Sequence, residues 1–188
     1  MRIKNARALV LASAGLLLSG CSLFQHEPPL PRHAVIEAGG SEEKFTDLIE
    51  EADIIYFPSE AAGFGSRADP AWKLLDALRR NAQSFALAWD WITNERDDRE
   101  YLSEARKIGA TLVSLNEAGA GGDQVAADKI ASYFREHGNE KLLVFVRRER
   151  LALAQGVPYL VAQQTKARQL ILNPRKPSTS GTQSVARN

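Results

Sequence analysis

The chain has 188 residues, 44% of them hydrophobic and 25% charged, the composition of an ordinary globular protein with room for one core. A net charge of +1 leaves no basic surplus that would call for nucleic acid. The single cysteine excludes an internal disulfide and a multi-cysteine metal site, and three scattered histidines without HxH or HxxxH spacing argue against zinc.

The chain opens with Arg2, Lys4 and Arg7, followed by the apolar run Ala8–Leu18, which is too short for a comfortable membrane span. Leu18–Ser19–Gly20–Cys21 then matches the bacterial lipobox. Residues 1–20 are therefore expected to be a lipoprotein signal peptide, with Cys21 the lipidated (palmitate-labelled) residue. The alternative is a secreted protein whose only cysteine falls there. Diacyl and N-acyl chains together give lasting attachment to a membrane. Ser22, where inner-membrane lipoproteins carry Asp, is similar to enterobacterial lipoproteins sorted to the outer membrane, which places the domain in the periplasm. Cleavage removes three cations and takes the net charge from +1 to −2.

Residues 21–40 read as a tether. Pro28, Pro29 and Pro31 are clustered, Gly39–Gly40 closes the segment, and an extended, loosely ordered chain is expected. His26 and His33 within it are solvated linker residues or contacts for a metal or haem. Residues 41–172 carry the periodic pattern of a single domain. Ser41 caps a helix with Glu42 and Glu43 in its first turn, and Phe45, Leu48 and Ile49 share a face. Asp53–Phe57 is the first strand. Asp69–Pro70 starts a helix that buries Ala71, Leu74, Leu75 and Leu78. Ser84–Trp89 is the second strand, and Asp97–Ile108 a helix ended by Gly109. Thr111–Leu115 is the third strand, Asp123 caps a helix to about His137, and Lys141–Val146 is the fourth strand. Arg147–Gln155 reads as a charged helical turn, Tyr159–Ala162 as a short extended piece and Gln169–Leu172 as a last strand. Residues 173–188 have no hydrophobic period and are expected to be a disordered tail. Strands alternating with helices predict an α/β fold, a short, mainly parallel sheet built from right-handed βαβ units.

In such a sheet the carboxyl ends of the strands form the ligand-binding edge. Polarity switches on abruptly after Phe57, Trp89, Leu115 and Val146, so Glu60, Asp90, Asn116 and Arg147 are expected at one rim. Glu60 and Asp90, taken to follow adjacent strands, form either a paired-carboxylate site or two structural contacts, Glu60 capping a loop and Asp90 accepting from nearby backbone. Arg147, Arg148 and Arg150 either meet an anionic group or form a solvated turn around Glu149.

Three segments resemble the ChaN-like haem-binding uptake lipoproteins of the Tiki superfamily, spanning residues 45–172. Ile54–Glu60 is similar to the family's strand ending in Gly-Glu-x-His, and Ala86–Trp91 to its apolar strand ending in Glu. Leu143–Val146 through Gly156–Val157–Pro158 is similar to its late strand, Gly-x-x-His and Gly-(Ile/Val)-Pro. The chain departs from the pattern where Ala62 takes the place of the first His, Asp90 the Glu and Arg150 the late His. Gly119–Gly122 nearly closes the gap that holds the family's helical insertion. The resemblance implies haem or iron uptake, and the departures imply loss of metal-dependent hydrolysis. Tyr56 or Tyr159 would then be the iron ligand. The expectation is a membrane-anchored, non-catalytic binding protein with candidate ligand residues Glu60, Asp90, Asn116, Arg147, Arg150 and Tyr159. The alternatives are a hydrolase that uses the strand-end acids, or a structural envelope lipoprotein with no ligand.

Overall fold

A computed structural model describes residues 29–37, 42–62, 64, 66–81, 84–90, 96–115, 122–152 and 154–175. The expected signal peptide (1–20), Cys21 and residues 176–188 lie outside them. Six strands and five helices alternate in the order β1 (Arg32–Glu37), α1 (Glu42–Glu51), β2 (Ile54–Pro58), α2 (Pro70–Asn81), β3 (Phe85–Trp89), α3 (Arg96–Lys107), β4 (Thr111–Ser114), α4 (Asp123–Glu136), β5 (Lys141–Val146), α5 (Val157–Gln164) and β6 (Gln169–Arg175). The strands form one sheet in the order β1-β6-β2-β5-β3-β4, and every neighbouring pair is parallel.

The interleaved order follows from crossover handedness. The chain steps one way across the sheet through β1, β2, β3 and β4, then returns through β5 and β6 into the gaps it left. Right-handed crossovers put α1–α3 on one face and the returning α4 and α5 on the other. The burial pattern divides accordingly. Ile55, Phe57, Leu87, Leu143 and Phe145 join Phe45, Leu74, Leu78 and Tyr101 in one core. Ile54, Tyr56, Ala88, Leu142 and Val144 join Ile130, Val157 and Val161 in the other. Alternation along each strand feeds both cores, which is why β2 and β5 read as unbroken apolar runs.

Three expectations change. Arg32–Glu37, assigned to the tether, is the edge strand β1, in parallel register with Leu170–Arg175, and Ile36 is 1% exposed within the first core. A six-residue run with two β-branched positions is a weak signal by itself, and the strand exists because β6 offers it an open edge. For the same reason β6 continues past Leu172 through Asn173, Pro174 and Arg175, so these three residues belong to the sheet rather than to a tail. Tyr159–Ala162 is helical, within α5. Gly156 at its N-cap sits where a Cβ would meet Arg150 O at 2.5 Å, and Pro158 falls in the first turn, where its fixed φ suits a helix start. The expected turn Arg147–Gln155 is shorter, a 3-10 turn over Arg148–Leu151, and the remaining boundaries agree to within a residue or two. Gly109 after α3 has φ of 90°, the left-handed turn that only glycine takes without strain.

Gln169 and Tyr56 satisfy each other's polar groups inside the core. In the amide orientation that satisfies every neighbour, Gln169 Nε2 donates to the Tyr56 hydroxyl at 2.7 Å and to Pro158 O at 3.0 Å. Its Oε1 accepts from Ala162 N–H at 3.2 Å. This one side chain ties β6, β2 and α5 together. Burial holds the Tyr56 phenol well above its usual pKa, so it stays neutral.

Candidate functional site at the carboxyl ends of the strands

Parallel strands bring the turns after β2, β3 and β5 to one edge. The chain leaves β2 and β3 toward the α1–α3 face and leaves β5 toward the α4–α5 face, and a crevice opens where neighbouring turns diverge in this way. β5 is therefore the centre of the site. Glu60 and Asp90 are not on adjacent strands, because β5 lies between β2 and β3. Strand spacing sets their parent strands about 10 Å apart.

Each acid is held by a residue that follows β5. Glu60 lies in a 3-10 turn, Ser59–Ala61, and both its carboxylate oxygens accept from Arg148 N–H, at 3.3 and 3.2 Å. It thereby caps a second 3-10 turn, Arg148–Leu151, whose own N-cap residue Arg147 supplies no side-chain bond. Asp90, with its side chain 4% exposed, pairs with Arg150 through Nη1. The Nε of the same guanidinium donates to Asp123 Oδ1 at 2.5 Å, at the start of α4. Arg150 is 11% exposed at its side chain, and its Nη2 is buried without a hydrogen-bond partner among the described residues. Burial disfavours the charged guanidinium, but the bonds to Asp90 and Asp123 outweigh it and raise the pKa. Arg150 is thus a clamp between β3, β5 and α4.

Of the remaining candidates, Arg147 is exposed, with Glu149 3.8 Å away, and Arg148 is exposed as well. Tyr159 is half-buried in the first turn of α5, on the α4–α5 side of the rim. Asn116 lies outside the described residues. Tyr56 is fully buried and bonded to Gln169, away from the rim. His33 is exposed on β1, its ring 3.2 Å from the Asn173 amide. Among the described residues, no group of three His, Cys, Asp or Glu stands close enough to hold a metal ion.

Sequence reasoning missed the role of Asp123, read only as a helix cap, and the coupling of Arg150 to Asp90. It also missed how the turn after β2 closes. Phe64 packs against Tyr101 and Phe145, with ring centroids 4.7 and 5.5 Å apart. Trp72 Nε1 donates to Phe64 O at 2.8 Å, and Arg67 lies 4.0 Å over the Trp72 ring. Aromatic rings fill the α1–α3 side of the crevice. The one available signal was a single aromatic, Phe64, in a loop otherwise made of small residues with Arg67 and Asp69.

The architecture is α/β with a wholly parallel sheet. No family model, curated protein or solved structure matches the chain. Among the described residues, no helix is long and apolar enough to cross a membrane.

Proposed function

We propose that the chain is a lipid-anchored binding protein of the bacterial envelope, similar to the ChaN-like haem-uptake lipoproteins, that holds an anionic ligand at its strand-end rim and does no chemistry on it. The observation that carries this reading is how the rim acids are used. Glu60 caps the turn after β5, and Asp90 and Asp123 neutralise Arg150. General acid–base catalysis requires a carboxylate able to exchange its proton with a substrate, and these acids are engaged, Glu60 by a backbone N–H and Asp90 and Asp123 by the Arg150 guanidinium. What the turn after β5 presents outward at the centre of the sheet edge is Arg147 and Arg148 together with Glu149, which lies 3.8 Å from Arg147. A guanidinium pair there suits the carboxylates of a haem propionate or a phosphate. Anchoring is supported by the lipobox ending at Cys21.

Haemin titration of the purified chain, followed at the Soret band, tests the ligand. A shift with Kd in the micromolar range, roughly −8 kcal/mol, is expected. Arg147→Glu with Arg148→Glu should weaken it by replacing attraction with repulsion. An unchanged Soret band would rule out haem. A metal-dependent hydrolysis abolished by Glu60→Gln would instead establish an enzyme.

A further inference from the structure

The sheet ends in two edge strands, β1 and β4, and they are built differently. At β4, Trp89 O accepts the Leu115 N–H, so the carbonyl of Ser114, which pairs with Trp89, points away from β3 to the outside. Lys129 of α4 donates to that carbonyl at 3.4 Å. A lysine over an outer carbonyl helps keep a second strand off an edge. β1 is hydrogen-bonded to β6 alone, and among the described residues no side chain bonds to its backbone. The outer N–H and C=O groups of Arg32–Glu37 are therefore a template for another strand.

The side chains of β1 divide by face. Ala34 and Ile36 pack into the first core, beneath α1. His33 and Val35 stand on the opposite face, where the second core takes in no described residue of β1. Val35, in the middle of the strand, is 44% exposed there, and His33 is exposed beside it. An apolar, β-branched side chain is thus left bare on an open edge strand, and a cross-strand neighbour would cover it.

We infer that β1 pairs with β1 of a second copy of this chain, antiparallel about a two-fold axis through Val35, so that two six-stranded sheets continue as one. An axis normal to the sheet keeps each face on its own side, so only residues of the same face come opposite each other. Centred on Val35, the pairing sets Val35 against Val35 on the bare face. In the core layer it sets Ala34 against Ile36 of the second copy, a small residue against a large one. His33 comes opposite the strand position of Glu37. A pairing centred on Ala34 would instead set Arg32 against Ile36. Anchoring permits this arrangement. The two Arg32 positions lie six residues apart along the pair, about 20 Å, and the eleven residues from Cys21 to Arg32 span up to about 40 Å. A strand pair of this length is a small interface beside those of permanent dimers, so the dimer exchanges with free copies. The inference is independent of the ligand proposed above.

The test is disulfide trapping in the full-length chain as cells make it, under mild oxidation with copper phenanthroline. Paired Val35 positions stand about 5 Å apart, within the roughly 7 Å that a disulfide can bridge. His33 and the same residue of the second copy are offset by four residues, about 13 Å. Val125 is exposed to the same 44% but lies on α4. Val35→Cys is expected to give a covalent dimer that reductant dissolves, while His33→Cys and Val125→Cys give no more than the parent chain. A yield from Val35→Cys no higher than from Val125→Cys overturns the pairing. So does a link at position 33 as strong as at 35, or a link from position 35 to a different protein.

Discussion

Arg150 is held by two acids from two other elements, and one of them, Asp90, is almost wholly buried. Removing one partner of a buried pair leaves the other charge without compensation, which costs more than the pair itself contributes. Arg150→Met is therefore expected to destabilise the domain by roughly 3–5 kcal/mol in urea denaturation. The double variant Arg150→Met, Asp90→Leu should recover most of that loss, and a single variant as stable as the parent would refute the clamp. A second charged contact lies at the opposite end, where Asp53 accepts from Arg168 Nη2 at 2.7 Å and from Arg168 N–H at 2.9 Å. Burial raises the Asp53 pKa, but the Arg168 bonds and charge, with Lys141 nearby, outweigh it and hold the carboxyl below its usual value. A carboxyl lowered in the folded state stabilises fully above its unfolded pKa, and that stabilisation disappears as pH falls through the folded value. Asp53→Asn should accordingly lower stability near neutrality and flatten the pH dependence below about pH 4. Melting curves from pH 2 to 7 would reveal this.

At the scale of elements, β1 has the most consequence. It is held on one side only, by β6, and contributes Ile36 to the core between the sheet and α1. Ile36→Ala should cost roughly 2–5 kcal/mol, as core truncations do. A residue in a loose tether would give a change within about 0.5 kcal/mol, which is typical of surface positions. Chain ends test the same pairing. A chain stopped after Leu172 loses Asn173, Pro174 and Arg175, three of the six register positions that hold β1. It should melt several degrees lower than a chain stopped after Arg175, since 1 kcal/mol shifts a domain of this size by about 2–4 °C.

At the scale of the whole molecule, the strand starts, where the chain enters β1, and the rim at the strand ends lie at opposite edges of the sheet. Anchoring is the premise, and it has a direct measurement. Cys21→Ser should accumulate uncleaved precursor and abolish metabolic labelling with palmitate. Labelling that persists would remove the anchor at Cys21. The rim stands about the length of a five-residue strand from the strand starts, roughly 17 Å.

Local pattern was enough to define the elements from α1 to β5 and the parallel α/β class. Asp69–Pro70 before an apolar face, Gly109 after one, and unbroken apolar runs at 54–57 and 142–146 are signals that neighbouring residues carry by themselves. The clustering of polar residues at strand ends was legible too, because parallel strands share a direction. Strand order was not. Nothing local indicates that β5 inserts between β2 and β3, and that insertion separates Glu60 from Asp90 and hands each to a residue following β5. Likewise Arg32–Glu37 and Asn173–Arg175 lack the periodicity of isolated strands, and each becomes one by completing the other's hydrogen bonds across 135 or more residues of chain. Contacts of that sequence separation are decided by which faces pack and which edges remain open, and those exist only once the sheet has formed.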